Sequence, residues 1–230
     1  MEELWQGLLK AIQLIVTLDP EVIEITGRSL LISAASCAIT ALICLPLGSL
    51  IHFNRFRGKR SLINVIQTLY SVPTVAVGLF VFLLISRAGP LGGLGLMFTP
   101  AAMVLGQVLL LIPVILGLVI SALSGVDKAV PETAIVLGAS RVQTTMLTMR
   151  EARFAILTAV IMGFGRAISE VGLSLMVGGN IRGFTRTITT AISLETSKGD
   201  IELSIALGII LIFVALVINF LLNRLQHRYY

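Results

Sequence analysis

Apolar residues along this chain run in blocks rather than alternating with polar ones. Five long apolar segments stand out, near 29–50, 62–86, 97–123, 154–178 and 202–223. Each reaches the roughly 20 mostly apolar residues that a bilayer span needs. None needs the period of two that marks a strand, and a helix satisfies its own backbone hydrogen bonds in lipid. The pattern predicts an all-α membrane protein with five transmembrane helices. The stretch 4–18 is different. Leu4, Trp5, Leu8, Leu9, Ile12, Ile15 and Val16 form one apolar side at helical spacing, while Gln6, Lys10, Gln13 and Thr17 lie largely elsewhere. It is short for a span and predicts an N-terminal interfacial helix. A signal peptide is the rival reading. Glu2 and Glu3 stand where that reading wants basic residues, and no small-residue cleavage site follows.

Composition agrees with the spans. Hydrophobic residues make up 56% of the 230, and charged residues only 13%. A soluble domain carries about a quarter charged residues, so this chain lacks the polar cover of a soluble globule. Abundant apolar surface excludes disorder, and two cysteines exclude a disulfide scaffold. The net charge of +5 therefore reads as a topology signal rather than as affinity for nucleic acid. Arg55, Arg57, Lys59 and Arg60 lie between the first two spans. Lys128, Arg141, Arg150 and Arg153 lie between the third and fourth, and Arg224 and Arg228 follow the fifth. The other ends hold fewer bases, Lys10, Arg28, Arg87, Arg182, Arg186 and Lys198, and most of the acids: Glu2, Glu3, Asp19, Glu21, Glu24, Glu195, Asp200 and Glu202. The positive-inside rule puts the basic group in the cytoplasm, with the N-terminus outside and the C-terminus inside. The longest cytoplasmic connection is 124–153, and the longest external one 179–201. No repeat or linker divides residues 1–230, which read as a single transmembrane domain.

Several polar and helix-breaking residues fall inside the spans. Pro73 should kink the second span and free a carbonyl, as Pro46 and Pro113 should in the first and third. A pathway-lining role is one reading of these kinks; the other is that proline is simply common in membrane helices. Arg166 and Glu170 stand four apart in the fourth span, which puts them one turn apart on one helix face. Each charge costs at least about 2.5 kcal/mol in hydrocarbon, so both must face protein or water. A gate or interface cluster on a transport path, including Ser169, and a structural ion pair are equally open. Gly163, Gly165 and Gly172 nearby permit close helix approach. Cys37 and Cys44 read as small core residues. His52 and His227 are isolated from any acidic or cysteine cluster, so no metal site is expected. No catalytic set is readable, and the chain holds no G-x-x-x-x-G-K-[ST] phosphate loop. Transport powered by ATP would need hydrolysis on another polypeptide.

Within the cytoplasmic connection, Pro131 suits a first helical turn and Glu132 complements the positive helix end. Ile135, Val136 and Leu137 are apolar, and Gly138 can stop the helix. This short helix either packs back on its own bundle or presents a knob to a soluble partner.

Glu132-Thr133-Ala134, three residues, then Gly138 resembles the EAA loop of importer-type ABC transporter permeases. The family's second half, Ile-x-Leu-Pro, is replaced here by Thr148-Met149-Arg150-Glu151, and the middle alanine of the triplet by Thr133. Val72-Pro73-Thr74-Val75-Ala76-Val77-Gly78-Leu79 and Gly165-Arg166-Ala167-Ile168-Ser169-Glu170-Val171-Gly172 resemble the second and fourth spans of oxyanion importers. The run from Gly179-Asn180-Ile181-Arg182 through Thr185-Arg186 to Ile192 resembles the external segment of molybdate and tungstate permeases, closest to the tungstate group. The resemblance covers about residues 28–224. It implies a type I ABC importer permease fold, not an enzyme, in a prokaryotic inner membrane.

It further implies a second copy of the chain, two copies of an ATPase that holds ATP and Mg, and an extracytoplasmic oxyanion-binding protein. Glu132, Thr133, Ala134, Leu137 and Gly138 would then dock the ATPase. Asn180, Arg182, Thr185 and Arg186 are expected to form an outer anion funnel or a binding-protein contact, or else a structural re-entrant segment. The expected cargo is tungstate or molybdate. A sulfate or small-solute permease of the same class, and an ATP-independent channel or carrier using Arg166 and Glu170, are the alternatives.

Overall fold

Residues 2–227 are described in the computed structural model of this protein. Arg228, counted above among the cytoplasmic charges, and the His227 side chain lie outside them. All regular elements among the described residues are helical: α1 (Glu2–Val16), α2 (Pro20–Phe53), α3 (Lys59–Thr68), a 3-10 turn Leu69–Ser71, α4 (Thr74–Ile85), α5 (Pro100–Ser124), α6 (Ala129–Val136), α7 (Arg141–Glu151), α8 (Arg153–Ile168), α9 (Gly172–Gly178), α10 (Ile188–Lys198) and α11 (Ile201–His227), with a second 3-10 turn at Gly92–Leu94.

Three of these, α2, α5 and Ile201–Phe220 of α11, are long and apolar enough to cross a membrane unbroken. The count reaches five when each of two bent pairs is taken as one span. α3 with its turn meets α4 at 97°, and α8 meets α9 at 60°. The expected spans 62–86 and 154–178 are therefore each interrupted. In the first, Pro73 has no N–H to extend a helix, and Val72 before it is extended with ψ 129°. Pro46 and Pro113 lie inside α2 and α5 without ending them. The span expected at 29–50 begins earlier, at Pro20. Asp19 caps that end by accepting from Val22 N at 3.0 Å, and Pro20 takes the first helical position.

α2 packs along α5 and α8 through a stripe of small residues. Ser33, Ser36, Cys37, Thr40, Cys44 and Gly48 are all buried, as is Ser29, which accepts from Ile188 N of α10 at 2.9 Å. Ser29, Ser36 and Thr40 return their hydroxyls to the carbonyl four residues back, at 2.7–2.8 Å. Small side chains with satisfied hydroxyls let backbones approach where lipid gives no hydrophobic drive between helices. Cys37 and Cys44 belong to this seam as free thiols, each near a carbonyl of the facing helix, Val160 O and Ile112 O. The Tyr70 ring lies against α5 at Gly117, where an added Cβ would stand 1.7 Å from the phenol oxygen.

α1 uses the same device. Gly7 and Ala11 are buried against α11, and a Cβ on Gly7 would come within 2.4 Å of Ile205. Leu4, Trp5, Leu9, Ile12, Ile15 and Val16 remain exposed. The apolar side read from the sequence thus faces outward, available to lipid, while the small residues hold the helix to α11.

Candidate functional site

Three regions gather the residues singled out above. The first is a helical hairpin between α5 and α8. α6 starts where Asp127 accepts from Ala129 N at 2.9 Å, and Glu132 sits in its first turn. It closes through Leu137 N to Thr133 O at 3.0 Å and Ala139 N to Ala134 O at 2.9 Å, with Gly138 left-handed at φ +84°. That closure needs a glycine. Ser140 and Gln143 form a reciprocal cap that starts α7 at once. Ala134 is buried, whereas Glu132, Thr133 and Gly138 are exposed. Val136 is 86% and Leu137 81% exposed. The helix does not fold its apolar side back on the bundle. Val142 and Met146 of α7 extend the exposed surface; the sequence pattern offered no reason to single them out. His52 and Ser124 meet at 3.3 Å, so the basic loop after α2 and this hairpin share one end of the molecule.

The second region is where the two broken spans meet. A Cβ on Gly172 would stand 2.8 Å from Val75 Cγ2, and one on Gly78 2.9 Å from Leu173 Cα. Pro73, exposed at the start of α4, and the break around Ser169 and Glu170 are thereby brought together. Arg166 and Glu170 do not share a helix face, contrary to expectation, and they form no ion pair. α8 ends at Ile168 between them. Ser169 turns its hydroxyl back to Gly165 O at 3.0 Å and Arg166 O at 3.1 Å. Glu170 is buried, and its carboxylate accepts from Leu173 N at 2.9 Å, capping α9. Its own carbonyl accepts from Thr189 Oγ1 at 3.0 Å. Arg166 stays exposed, with no side-chain hydrogen bond or ion pair among the described residues. Gly163 and Gly172 do sit at close contacts, but nothing lies within 4 Å of a Cβ at Gly165. Gln107, not anticipated, donates to Ala167 O at 3.3 Å beside this break. A lone amide in an apolar span was the available signal.

The third region is the reversal after α9. Gly179 and Asn180 are both left-handed, at φ +71° and +51°. Asn180 donates to Thr190 O at 3.2 Å. Thr185 is fully buried: it donates to Gly178 O at 2.5 Å and accepts from Ile181 N at 2.9 Å. Thr187 and Thr190 form the cap of α10. The Thr185 hydroxyl expected at an outer mouth is bonded to the loop's own backbone. Arg182 and Arg186 do face a cleft of about 280 Å³, but not as free charges. Both engage Glu21 at the start of α2, Arg182 at 2.5 Å and Arg186 at 3.4 Å. Arg28 pairs with Glu24 and donates to Arg186 O at 3.1 Å. Glu21 lies 161 residues before Arg182, and no local spacing could have linked them. No cluster of metal-ligating side chains occurs among the described residues.

Residues 44–229 match the family described as binding-protein-dependent transport system inner membrane component. A tungstate uptake system permease protein, TupB, of Peptoclostridium acidaminophilum is 40% identical over 228 residues, covering 99% of this chain and 100% of that protein. A probable anion ABC transporter permease protein of Haloferax volcanii is 44% identical over 211 residues, 90% of this chain and 91% of its own. Among solved structures, a bacterial alginate ABC transporter in complex with an alginate pentasaccharide-bound periplasmic protein is similar in fold. It has a TM-score of 0.75 at 21% identity, over 94% of this chain and 82% of that one.

Proposed function

The chain belongs to the family of binding-protein-dependent transport system inner membrane components, and on that premise we propose that this ABC importer permease carries tungstate. The observation behind the cargo is the 40% identity that runs the whole length of a tungstate uptake permease. Two copies pair around a path, two copies of a separate ATPase hold ATP and Mg, and an extracytoplasmic binding protein delivers the oxyanion. ATP binding turns the pair outward, and hydrolysis resets it inward.

Residue roles follow from physics. An unpaired guanidinium within a span is costly against hydrocarbon, so the Arg166 face belongs against water or the second copy. There it draws a dianion into a low-dielectric path without a cage of donors that would prevent release. Glu170, turned away into the α9 cap, does not cancel that charge. The hairpin offers Leu137, Val136 and Met146 as an apolar knob for the ATPase, with Glu132, Thr133, Ala134 and Gly138 setting its shape. The hairpin end is cytoplasmic, and the N-terminus is outside.

Uptake of tungstate by cells or proteoliposomes holding permease, ATPase and binding protein tests the reading, with molybdate and sulfate as competitors. Tungstate should be taken up and should be displaced by molybdate more readily than by sulfate. ATP-independent uptake would assign a carrier, and preference for sulfate a different importer.

A further inference from the structure

Glu21 sits between two guanidinium groups from the far end of the chain. Its Oε2 lies 2.5 Å from Arg182, and its Oε1 lies 3.4 Å from Arg186. The carboxylate thus occupies the place that an oxyanion would take between two arginines. The Arg186 side chain is only 14% exposed, and its Nε is enclosed without a hydrogen-bond partner. One donor of that fork is left unused by Glu21. A tetrahedral dianion brings four acceptor oxygens where a carboxylate brings two. Arg182 is 72% and Glu21 38% exposed, and an ion pair so solvated contributes little, while the less exposed Arg186 holds Glu21 only through a long 3.4 Å contact. Glu21 therefore leaves the arginines at small cost. The other acids of the cleft are committed elsewhere. Asp19 accepts from Val22 N at the head of α2, and Glu195 pairs with Lys198 at 2.8 Å.

We propose that Glu21 is a resident counter-ion for an oxyanion entry site made by Arg182 and Arg186. This rests on the oxyanion-importer reading above. An incoming dianion exchanges with the carboxylate. A monovalent anion such as chloride, with less charge and no fork of oxygens, does not. The returning carboxylate then displaces the cargo toward the path, so the site does not become a trap.

The full-length permease in nanodiscs, without binding protein, is dialysed to equilibrium against subsaturating sodium tungstate, and bound tungsten is measured by mass spectrometry. Glu21→Gln removes the charge and keeps the shape. It should raise retained tungstate about two- to fivefold, the scale of one exposed ion pair, and should let chloride compete. Glu21→Asp should match the wild type, and Arg186→Gln should lose retention. If Arg186→Gln lowers retention but Glu21→Gln does not raise it, the counter-ion role falls and the entry site stands. If Arg182→Gln and Arg186→Gln both leave retention unchanged, the entry site falls as well. A Glu21→Gln variant that loses retention and thermal stability together makes the cluster a support of the fold, which also overturns the proposal.

Discussion

Arg166 and Glu170 show how one residue interval can carry the wrong geometry. Four positions apart implies one helix face only while the helix continues. Here α8 ends at Ile168, and the acid becomes the cap of the next helix while the base keeps its charge for the surface. Their separate duties give separable outcomes. Arg166→Ala should cut tungstate uptake at least about tenfold, the worth of roughly 1.4 kcal/mol on a charged path, with assembly and thermal stability kept. Arg166→Lys should retain part of the activity. Glu170→Ala should lower stability by about 0.5–2 kcal/mol, the scale of a lost cap, read as a fall in the unfolding midpoint in detergent. Unchanged uptake in Arg166→Ala would remove the charge from the path. The rarity of charge inside a span was legible in the sequence; which charge remained free was not, because that depended on where the helix stopped.

At the scale of elements, the apolar blocks coincide with three helices long and apolar enough to cross a membrane, in α2, α5 and α11, since length and hydropathy are local properties. Pro73 announced the break in the second span for an equally local reason. The break in the fourth span had no such signal, because a cap made by Glu170 and a tie from Thr189 depend on packing. Nor did hydropathy show that α1 and α2 join their neighbours by small residues. Thr40, fully buried in the α2 seam, gives the sharpest test. Thr40→Leu should overpack the α2–α5 contact and cost about 1–3 kcal/mol, seen as a lower unfolding midpoint. Thr40→Ser should be nearly neutral. The hairpin makes the opposite demand, since its apolar residues are exposed. Leu137→Asp should leave the unfolding midpoint within a degree or two, as surface changes do, and should weaken co-purification with the ATPase. Undiminished co-purification in Leu137→Asp and Val136→Asp together would place the docking surface elsewhere.

Across the whole molecule, scarce charge is sorted by end. Away from the hairpin end, Arg28, Arg182, Arg186 and Lys198 have carboxylate partners, while Lys10, Arg87 and Arg166 form no ion pair among the described residues. At the hairpin end, Arg55, Arg57, Lys59, Arg60, Lys128, Arg141, Arg150 and Arg153 form no ion pair among the described residues. The sequence showed the sidedness of the bases but not their pairing, which joins α2 to a loop distant in sequence. An excess of unneutralised bases is what the side of the negative leaflet retains, so the proposed orientation has the hairpin end in the cytoplasm and Leu18, exposed in the turn between α1 and α2, outside. Cysteine labelling measures this directly. The native Cys37 and Cys44 are buried and should give little background. Leu18→Cys should react with a membrane-impermeant maleimide on intact cells. Val136→Cys should react only after permeabilisation, and less when the ATPase is bound. Labelling of Val136→Cys on intact cells, with Leu18→Cys protected, would invert the topology. The inverted protein would leave the ATPase no route to the hairpin and the binding protein no route to Arg182.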